Sequence, residues 1–417
     1  MQKIHRRLYL SSICKLICII FIIQQLSLIN DPNFLFTFTP VLKILPPAHY
    51  KHYLRLPFTD YHRIVIRKDP KMINNTYITP EKTKEIGGIP PLFQIKSVVH
   101  LTKFENAYFF GDFSLKDVAM CSIQCDNSIR PAKEVIGEID NAAAYFMGYI
   151  MWGHNIHDLL CSLFYLPEEL LHNNLTIMGA FHYPERLNSL VKHLGLNLTL
   201  LPRIYNHSQM YFVRNLYVLG IGAASHGYII GSMPKLRKLV EKKFNLTQNR
   251  AKVYALINRP KGSSKMILNE DELLNALNER VKIEGNTWVK LVDPMNDWLT
   301  TAKVWNSIRV YVAPCGSMCY NNMFMEPKTG MVLQYTNQLD QPNIQLAIAC
   351  DMYLIGVVHP KIHHTIFNAN VPCDVDRMVR AARLVVDAVN TGKWGDRSWL
   401  IPGFDINEIM KTSENIV

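Results

Sequence analysis

Short apolar runs that alternate with amphipathic segments constrain the fold of this chain more than any other feature. The runs lie at residues 175–178, 198–201, 216–219, 253–257, 289–292, 310–312 and 331–334. Segments with helical periodicity lie between them, at residues 184–194, 234–244, 270–280 and 297–306. Such alternation is typical of α/β proteins with parallel sheets. We therefore predict two successive α/β units, followed by an amphipathic helix at residues 376–390 whose apolar face carries Met378, Ala382, Val385 and Val389.

The N-terminus carries basic residues followed by a mainly apolar run at residues 8–29, in which Lys15 is the one charged residue. The basic residues are Lys3, Arg6 and Arg7. At about 1.5 Å per residue the run is long enough to cross a bilayer. Basic residues before the run and Asp31 after it predict a cytoplasmic tail at residues 1–7 and a lumenal remainder. The alternative is a cleaved signal peptide, with a mature chain that begins near residue 30.

The rest of the chain fits a secretory environment. Five N-glycosylation sequons begin at Asn74, Asn174, Asn197, Asn206 and Asn245. The net charge of +11 is spread thinly, with no dense basic tract that interleaves with aromatics after the N-terminus, so nucleic acid is not an expected partner. We expect a single-pass type II protein of the Golgi or endoplasmic reticulum membrane.

The domain boundaries follow from composition and periodicity. Residues 30–91 are rich in proline, aromatic and basic residues without steady periodicity, which predicts a stem or an irregular N-terminal region. The two α/β units then occupy residues 92–247 and 248–417. The joint between them falls near residues 245–251.

A first candidate site lies where Trp152 and Gly153 precede a helical pattern. His154 and Asp158 are four residues apart, so they share one face of a helix. A histidine beside a carboxylate that orients it is suited to general base catalysis. The alternative interpretation is a capped helix start with a structural histidine.

A second candidate site follows the predicted strand at residues 253–257, where Arg259, Lys261 and Lys265 lie in the next loop. Ligands of α/β sheets bind outside the carboxyl ends of the strands, so these cations are placed to meet a diphosphate. Asn269 and Glu272 open the following helix with capping-box spacing, and we predict a capping role for them.

A third stretch has a strand at residues 310–312, a turn at Pro314, Cys315 and Gly316, and then a helix that includes Asn321. The first N–H groups of a helix are unpaired and carry a positive dipole end, which suits a phosphate. The alternative is a tight structural connection.

In this order the three stretches resemble the signature segments of glycosyltransferase family 61, which includes the EGF-domain and dystroglycan O-GlcNAc transferases and plant β-1,2-xylosyltransferases. The likeness covers roughly residues 146–334. It implies a GT-B fold, with two facing Rossmann-like domains, and an inverting transfer from a UDP-sugar to a glycan or glycoprotein without a metal or other cofactor. GlcNAc and xylose are the expected sugars.

The resemblance also implies residue roles. Arg259, Lys265, Gly316, Ser317 and Asn321 would bind the donor, and His154 or Asp158 would act as the base at the acceptor hydroxyl. The chain departs from the family where Cys315 replaces a histidine and where lysines replace some of the loop arginines. Lysine offers a point charge instead of a bidentate fork, so donor specificity or donor binding differs.

Three other functions remain open. Asp374, Val375 and Asp376 form a D-x-D triplet, as in metal-dependent GT-A glycosyltransferases, although a carboxylate just before a helix is explained as an N-cap. The replacement at Cys315 would suit a non-catalytic lumenal glycan-binding protein. Gly220, Gly222 and Ser225 resemble a dinucleotide-binding turn that lacks its third glycine.

Overall fold

The computed structural model of the chain contains two β-sheets with helices packed against them. The structure describes residues 60–65, 75–79, 98–109, 134–144, 152–179, 181, 183–202, 209–220, 229–246, 251–292, 297–336, 341–359 and 370–402. These residues all belong to one compact unit, Ala48–Val417. The predicted membrane segment at residues 8–29 lies outside them, and within the described ranges no helix is long and apolar enough to span a bilayer.

The elements alternate along the chain as the apolar pattern predicts. The strands are β1 (Asp60–Val65), β2 (Thr76–Ile78), β3 (Val98–Phe109), β4 (Glu134–Ala144), β5 (Leu175–Gly179), β6 (Leu198–Pro202), β7 (Gln209–Gly220), β8 (Val253–Ile257), β9 (Trp288–Leu291), β10 (Ile308–Pro314), β11 (Gly330–Tyr335), β12 (Tyr353–Val358) and β13 (Ile401–Pro402). Helix α1 has three successive parts, Trp152–His154, a π-helical Asn155–Leu160 and Cys161–Leu163. The other helices are α2 (Glu168–His172), α3 (Pro184–His193), α4 (Ile229–Phe244), α5 (Glu270–Arg280), α6 (Trp298–Asn306), a 3₁₀ helix (Ser317–Phe324), α7 (Gln341–Ala349) and α8 (Val375–Thr391).

The first sheet has six strands in the order β1-β3-β7-β4-β5-β6. Its β1, β3 and β7 pair antiparallel, and β7, β4, β5 and β6 pair parallel. The second sheet has seven strands in the order β13-β2-β12-β11-β10-β8-β9, parallel except for β13. The mixed α/β class with parallel sheets agrees with the prediction. Because β8, β10, β11 and β12 run parallel, their carboxyl ends meet at one edge of the second sheet.

Strand β10 shows how the second sheet is buried on both faces. Tyr311 and Ala313 point into the larger core cluster, which also contains residues of α1, α3, α4, α6 and α7. Val310 and Val312 point into the opposite cluster, with α5 and α8. A strand that is buried on both faces has apolar side chains at successive positions, so its sequence is a continuous apolar run. The run at residues 310–312 predicts a strand for this reason.

Helix α8 forms largely as predicted. Met378, Ala382, Val385 and Val389 are all buried against the second sheet. Asp374 caps its N-terminus by accepting a hydrogen bond from the Arg377 N–H at 3.1 Å. Its C-cap is Gly392, whose φ of 72° suits glycine.

The segment at residues 30–91 contains two strands that the prediction of an irregular stem misses. Strand β1 pairs with β3 in the first sheet, and β2 pairs with β12 in the second. Both are short and paired with strands remote in sequence, so their own periodicity gives no signal. The N-terminal region therefore adds a strand to each sheet. Strand β2 precedes the predicted joint at residues 247–248 but belongs to the second sheet, so the joint does not divide the strands of the two sheets.

Candidate active site

Helix α1 brings one buried carboxylate between two imidazoles. Asp158 Oδ2 lies 2.5 Å from His154 Nδ1, and Asp158 Oδ1 lies 2.7 Å from His157 Nδ1. The Asp158 side chain is 1% exposed and that of His154 is 12% exposed. A neutral imidazole that donates through Nδ1 keeps its lone pair on Nε2. The arrangement can therefore hold His154 as a base.

The sequence predicted the pairing of His154 with Asp158 but assigned no role to His157. Neighbouring residues on a regular α-helix do not face each other, so the spacing of His157 and Asp158 gives no signal. In the structure the helix becomes π-helical at Asn155, directly after His154. Such π segments are frequent at functional sites.

The Arg259 side chain is fixed against the turn after β10. Its Nη2 donates a hydrogen bond to the carbonyl oxygen of Cys315 at 2.9 Å. A Cβ on Gly316 would lie 2.0 Å from the same nitrogen, and the φ of Gly316 is 148°. Only glycine allows the backbone to approach the guanidinium this closely.

Asn258 orders the loop that carries Arg259. Its Oδ1 accepts hydrogen bonds from the N–H groups of Arg259 and Ile267 at 2.9 and 3.0 Å, and its Nδ2 donates to the Ile267 carbonyl at 2.9 Å. The loop is thereby closed on itself at its base. Lys265 lies within it, half-buried, with a left-handed φ of 63°.

Gly153 joins the histidine cluster to the same turn. A Cβ at this position would lie 2.8 Å from Tyr320 Cε2 and 3.0 Å from Ser317 Oγ. The start of α1 therefore packs directly on the 3₁₀ helix. The consecutive residues Gly316 and Ser317 contact Arg259 on one side and the helix of His154 on the other.

Aromatic contacts reinforce this packing. The ring of His157 stacks on Tyr320, with centroids 5.1 Å apart. Trp152 stacks on Trp298 of α6 at 5.6 Å, and the Arg186 guanidinium lies over both indoles. These contacts hold α1 against α6 and the 3₁₀ helix.

Asn321, the last of the predicted donor residues, and Cys315, which stands where the resemblance predicts a histidine, are both buried. Asn321 is 2% exposed within the 3₁₀ helix. Cys315 is 1% exposed, with its side chain in the larger core cluster, and its contribution to the site is the carbonyl oxygen that holds Arg259.

The capping role predicted for Asn269 and Glu272 is wrong. The Asn269 side chain makes no capping hydrogen bond to α5. Instead its Oδ1 accepts from the Cys373 N–H at 2.7 Å, and its Nδ2 donates to the Cys373 carbonyl at 3.2 Å and to Glu272 at 2.9 Å. Pairing with both the N–H and the carbonyl of Cys373 satisfies both ends of the amide, so Asn269 ties the loop after β8 to the segment before α8.

Among the described residues, the histidine cluster is where a metal would fit. His154, His157 and Asp158 offer ligand atoms that lie within 4.8 Å of one another. The D-x-D triplet has other partners, since Asp374 caps α8 and Asp376 accepts from Arg280 at 2.6 Å. The predicted independence from metal stays a prediction.

Several predicted modification sites are accessible. Asn174, Asn197 and Asn245 are exposed, whereas Asn74 and Asn206 lie outside the described residues, as do Gly222 and Ser225 of the dinucleotide-like turn. The described cysteines are all buried, namely Cys161, Cys315, Cys319, Cys350 and Cys373.

A family model matches the part of the chain that carries the site. Residues 152–332 match the family model described as Glycosyltransferase 61. The match begins at Trp152 of α1 and ends in β11, so it includes the histidine cluster, the Arg259 loop and the 3₁₀ helix. No curated protein matches the chain.

Proposed function

We propose that this chain, whose residues 152–332 match the model of glycosyltransferase family 61, transfers GlcNAc or xylose from a UDP-sugar to a glycan or glycoprotein, with inversion. The observation that carries the proposal is the turn at Gly316 and Ser317. It contacts Arg259 on one side and the helix of His154 on the other. A cation for the leaving group and a base for the acceptor are thus brought to one turn.

In the proposed reaction Asp158 accepts a hydrogen bond from His154 Nδ1–H, so that His154 Nε2 takes the proton of the acceptor hydroxyl and the resulting imidazolium lies beside the carboxylate. The hydroxyl oxygen forms a bond with the anomeric carbon as the bond from that carbon to the diphosphate oxygen breaks. The electron pair of the broken bond stays on the diphosphate. Arg259 and Lys265, with the N–H groups at the start of the 3₁₀ helix, would stabilise the added charge.

We propose a GT-B arrangement in which residues 92–247 face the acceptor and residues 248–417 hold the donor. Parallel strands in both sheets, and carboxyl ends of β10 and β11 that meet at one edge of the second sheet, support it. We further propose that cations replace a metal. Transfer activity should then survive EDTA, and abolition of activity by EDTA with recovery on added Mn²⁺ would instead favour metal binding at the cluster of His154, His157 and Asp158.

A panel of UDP-sugars tests the proposed function. Donor binding is measured by calorimetry and donor hydrolysis by release of UDP, for the wild type, His154→Ala and Arg259→Ala. We expect His154→Ala to lower turnover with little change in donor affinity, and Arg259→Ala to lower donor affinity. Wild-type protein that binds and hydrolyses none of the UDP-sugars would contradict the proposal.

We also propose that the apolar run at residues 8–29 retains the enzyme in the Golgi or endoplasmic reticulum membrane as a type II protein. The exposed sequons at Asn174, Asn197 and Asn245 support a lumenal body. Treatment of membranes with alkaline carbonate should leave the protein in the pellet, and glycosidase treatment should lower its apparent mass. Release into the supernatant would indicate cleavage instead.

A further inference from the structure

A cavity of about 260 Å³ lies beyond the carboxyl ends of β11 and β12, beside the start of α8. Gln334 of β11 and Val357 of β12 line it from the sheet, and Cys373, Arg377 and Met378 line it from the other side. Small-molecule sites usually enclose about 300–1,000 Å³, so this cavity suits part of a ligand. Its walls combine apolar side chains with a few polar groups.

Gln334 is the unusual member of this cavity. It is 3% exposed, and neither its Nε2 nor its Oε1 has a hydrogen-bond partner in the described part of the chain. Buried side-chain amides nearly always find partners, so one that lines a cavity without any indicates a ligand that supplies them. The amide offers a donor and an acceptor side by side.

The cavity and the Arg259 turn lie on the same edge of the second sheet. The Cys315 N–H donates to the Gln334 carbonyl at 3.0 Å, so Gln334 is the neighbour of the residue whose carbonyl holds Arg259. Asn269 links the loop after β8 to Cys373, which lines the cavity. A ligand whose phosphates meet Arg259 and Gly316 can therefore extend into the cavity.

We propose that Gln334 recognises the nucleobase of the donor nucleotide, an inference that rests on the proposed function. Uracil presents an N–H beside a C=O, which matches the carbonyl and NH₂ groups of the Gln334 amide. Val357 and Met378 would pack on the ring, and the diphosphate would leave the cavity toward Gly316. Gln334 is then a specificity residue for the nucleotide, separate from the groups at the transferred sugar.

The test compares binding of UDP and of inorganic pyrophosphate by calorimetry. Gln334→Met keeps the length and volume of the side chain and removes both polar atoms. Gln345→Met is the matched control, because Gln345 is 5% exposed on α7 and does not line the cavity. We expect Gln334→Met to lose at least about tenfold in UDP affinity with unchanged pyrophosphate affinity, while Gln345→Met retains both.

Retained pyrophosphate binding also shows that the variant is folded. Equal UDP affinity of wild type and Gln334→Met would overturn the inference alone. A parallel loss of pyrophosphate affinity would overturn it as well, since the effect would not be specific to the base. Wild-type protein that binds pyrophosphate but not UDP would contradict both the inference and the proposed function.

Discussion

Asp158 is the residue on which the histidine cluster depends, because both of its oxygens lie against imidazole nitrogens. Asp158→Asn keeps the side-chain outline but replaces one acceptor oxygen with an NH₂ donor. His154 then has no carboxylate to hold its Nδ1 proton, so Nε2 is no longer the basic nitrogen. We expect turnover to fall by about 10²–10⁴ with donor affinity changed less than about twofold, measured by steady-state kinetics and calorimetry. Unchanged turnover would remove the pair from the mechanism.

The close approach of Arg259 to Gly316 gives a prediction about donor binding. In Gly316→Ala the new methyl group would lie 2.0 Å from Arg259 Nη2, so the guanidinium must leave its place. We expect donor affinity to fall by roughly tenfold or more, the loss of one charge-assisted contact. Gly262→Ala is the control, because Gly262 lies in the same loop at a φ of 87° with nothing within 4 Å of its added Cβ. A similar loss in both variants would show that backbone strain, and not the Arg259 contact, is responsible.

Single residues of the site were predictable where a local spacing carries the information. The i, i+4 spacing of His154 and Asp158 survives in the structure as a 2.5 Å contact. His157 was missed because it contacts the residue next to it, a spacing that carries no signal on a regular helix. Asn269 has capping-box spacing, but its side chain pairs with the backbone N–H and carbonyl of Cys373 instead of capping α5. The sequence does not predict that Asn321 is buried. Because it is buried, Asn321→Ala is expected to change folding stability as well as donor binding.

Strand β11 and helix α8 are packed so closely that an added methyl group at their contact should lower the free energy of unfolding. A Cβ on Gly330 would lie 2.3 Å from Val385 Cγ1 and 2.9 Å from Val389 Cγ2. We expect Gly330→Ala to lower the free energy of unfolding by about 1–3 kcal/mol in urea denaturation, as overpacking of a core does. Adding Val385→Ala to Gly330→Ala should cost less than the sum of the two single changes, because the valine methyl is the clashing group. Strict additivity would contradict the contact.

Elements with a regular apolar pattern could be predicted closely, and those interrupted by charged residues could not. The bounds of β8 and α5 match the predicted residues 253–257 and 270–280. Strand β7 was predicted only at residues 216–219, although it runs from Gln209 to Gly220. Its middle carries Arg214, which is 54% exposed and pairs with Glu138 of the neighbouring strand. A strand whose charged residues pair with a neighbouring strand has no continuous apolar run, so apolar runs predict only part of it.

For the whole molecule the sequence predicted the α/β class but not the path of the N-terminal strands. Strand β2 pairs Thr76 with Leu354, Tyr77 with Ile355 and Ile78 with Gly356. Pairing with a strand so remote in the chain does not affect local periodicity, and a strand of three residues is too short to show an alternating pattern. The second sheet is therefore complete only when residues from the predicted stem have joined it.

Buried thiols make the stability of the whole chain sensitive to alkaline pH. Burial raises the pKa of the Cys350 thiol from 9.0 to about 11, and that of Cys373 from 9.0 to about 12. The folded state holds these protons more tightly than the unfolded state, so their contribution to stability is complete below pH 9 and is lost as the pH rises toward 11 and 12. Each thiol adds at most about 1.4 kcal/mol per pH unit to the decline.

The measurement is the free energy of unfolding between pH 7 and pH 11, compared between wild type and Cys350→Ala. The substitution lowers stability at every pH by loss of packing, so the comparison uses the slope above pH 9 and not the absolute value. We expect a shallower slope in Cys350→Ala, because one proton-holding group is gone from the folded state. Equal slopes would mean that Cys350 is ionised as easily in the folded chain as in the unfolded chain, which its complete burial argues against.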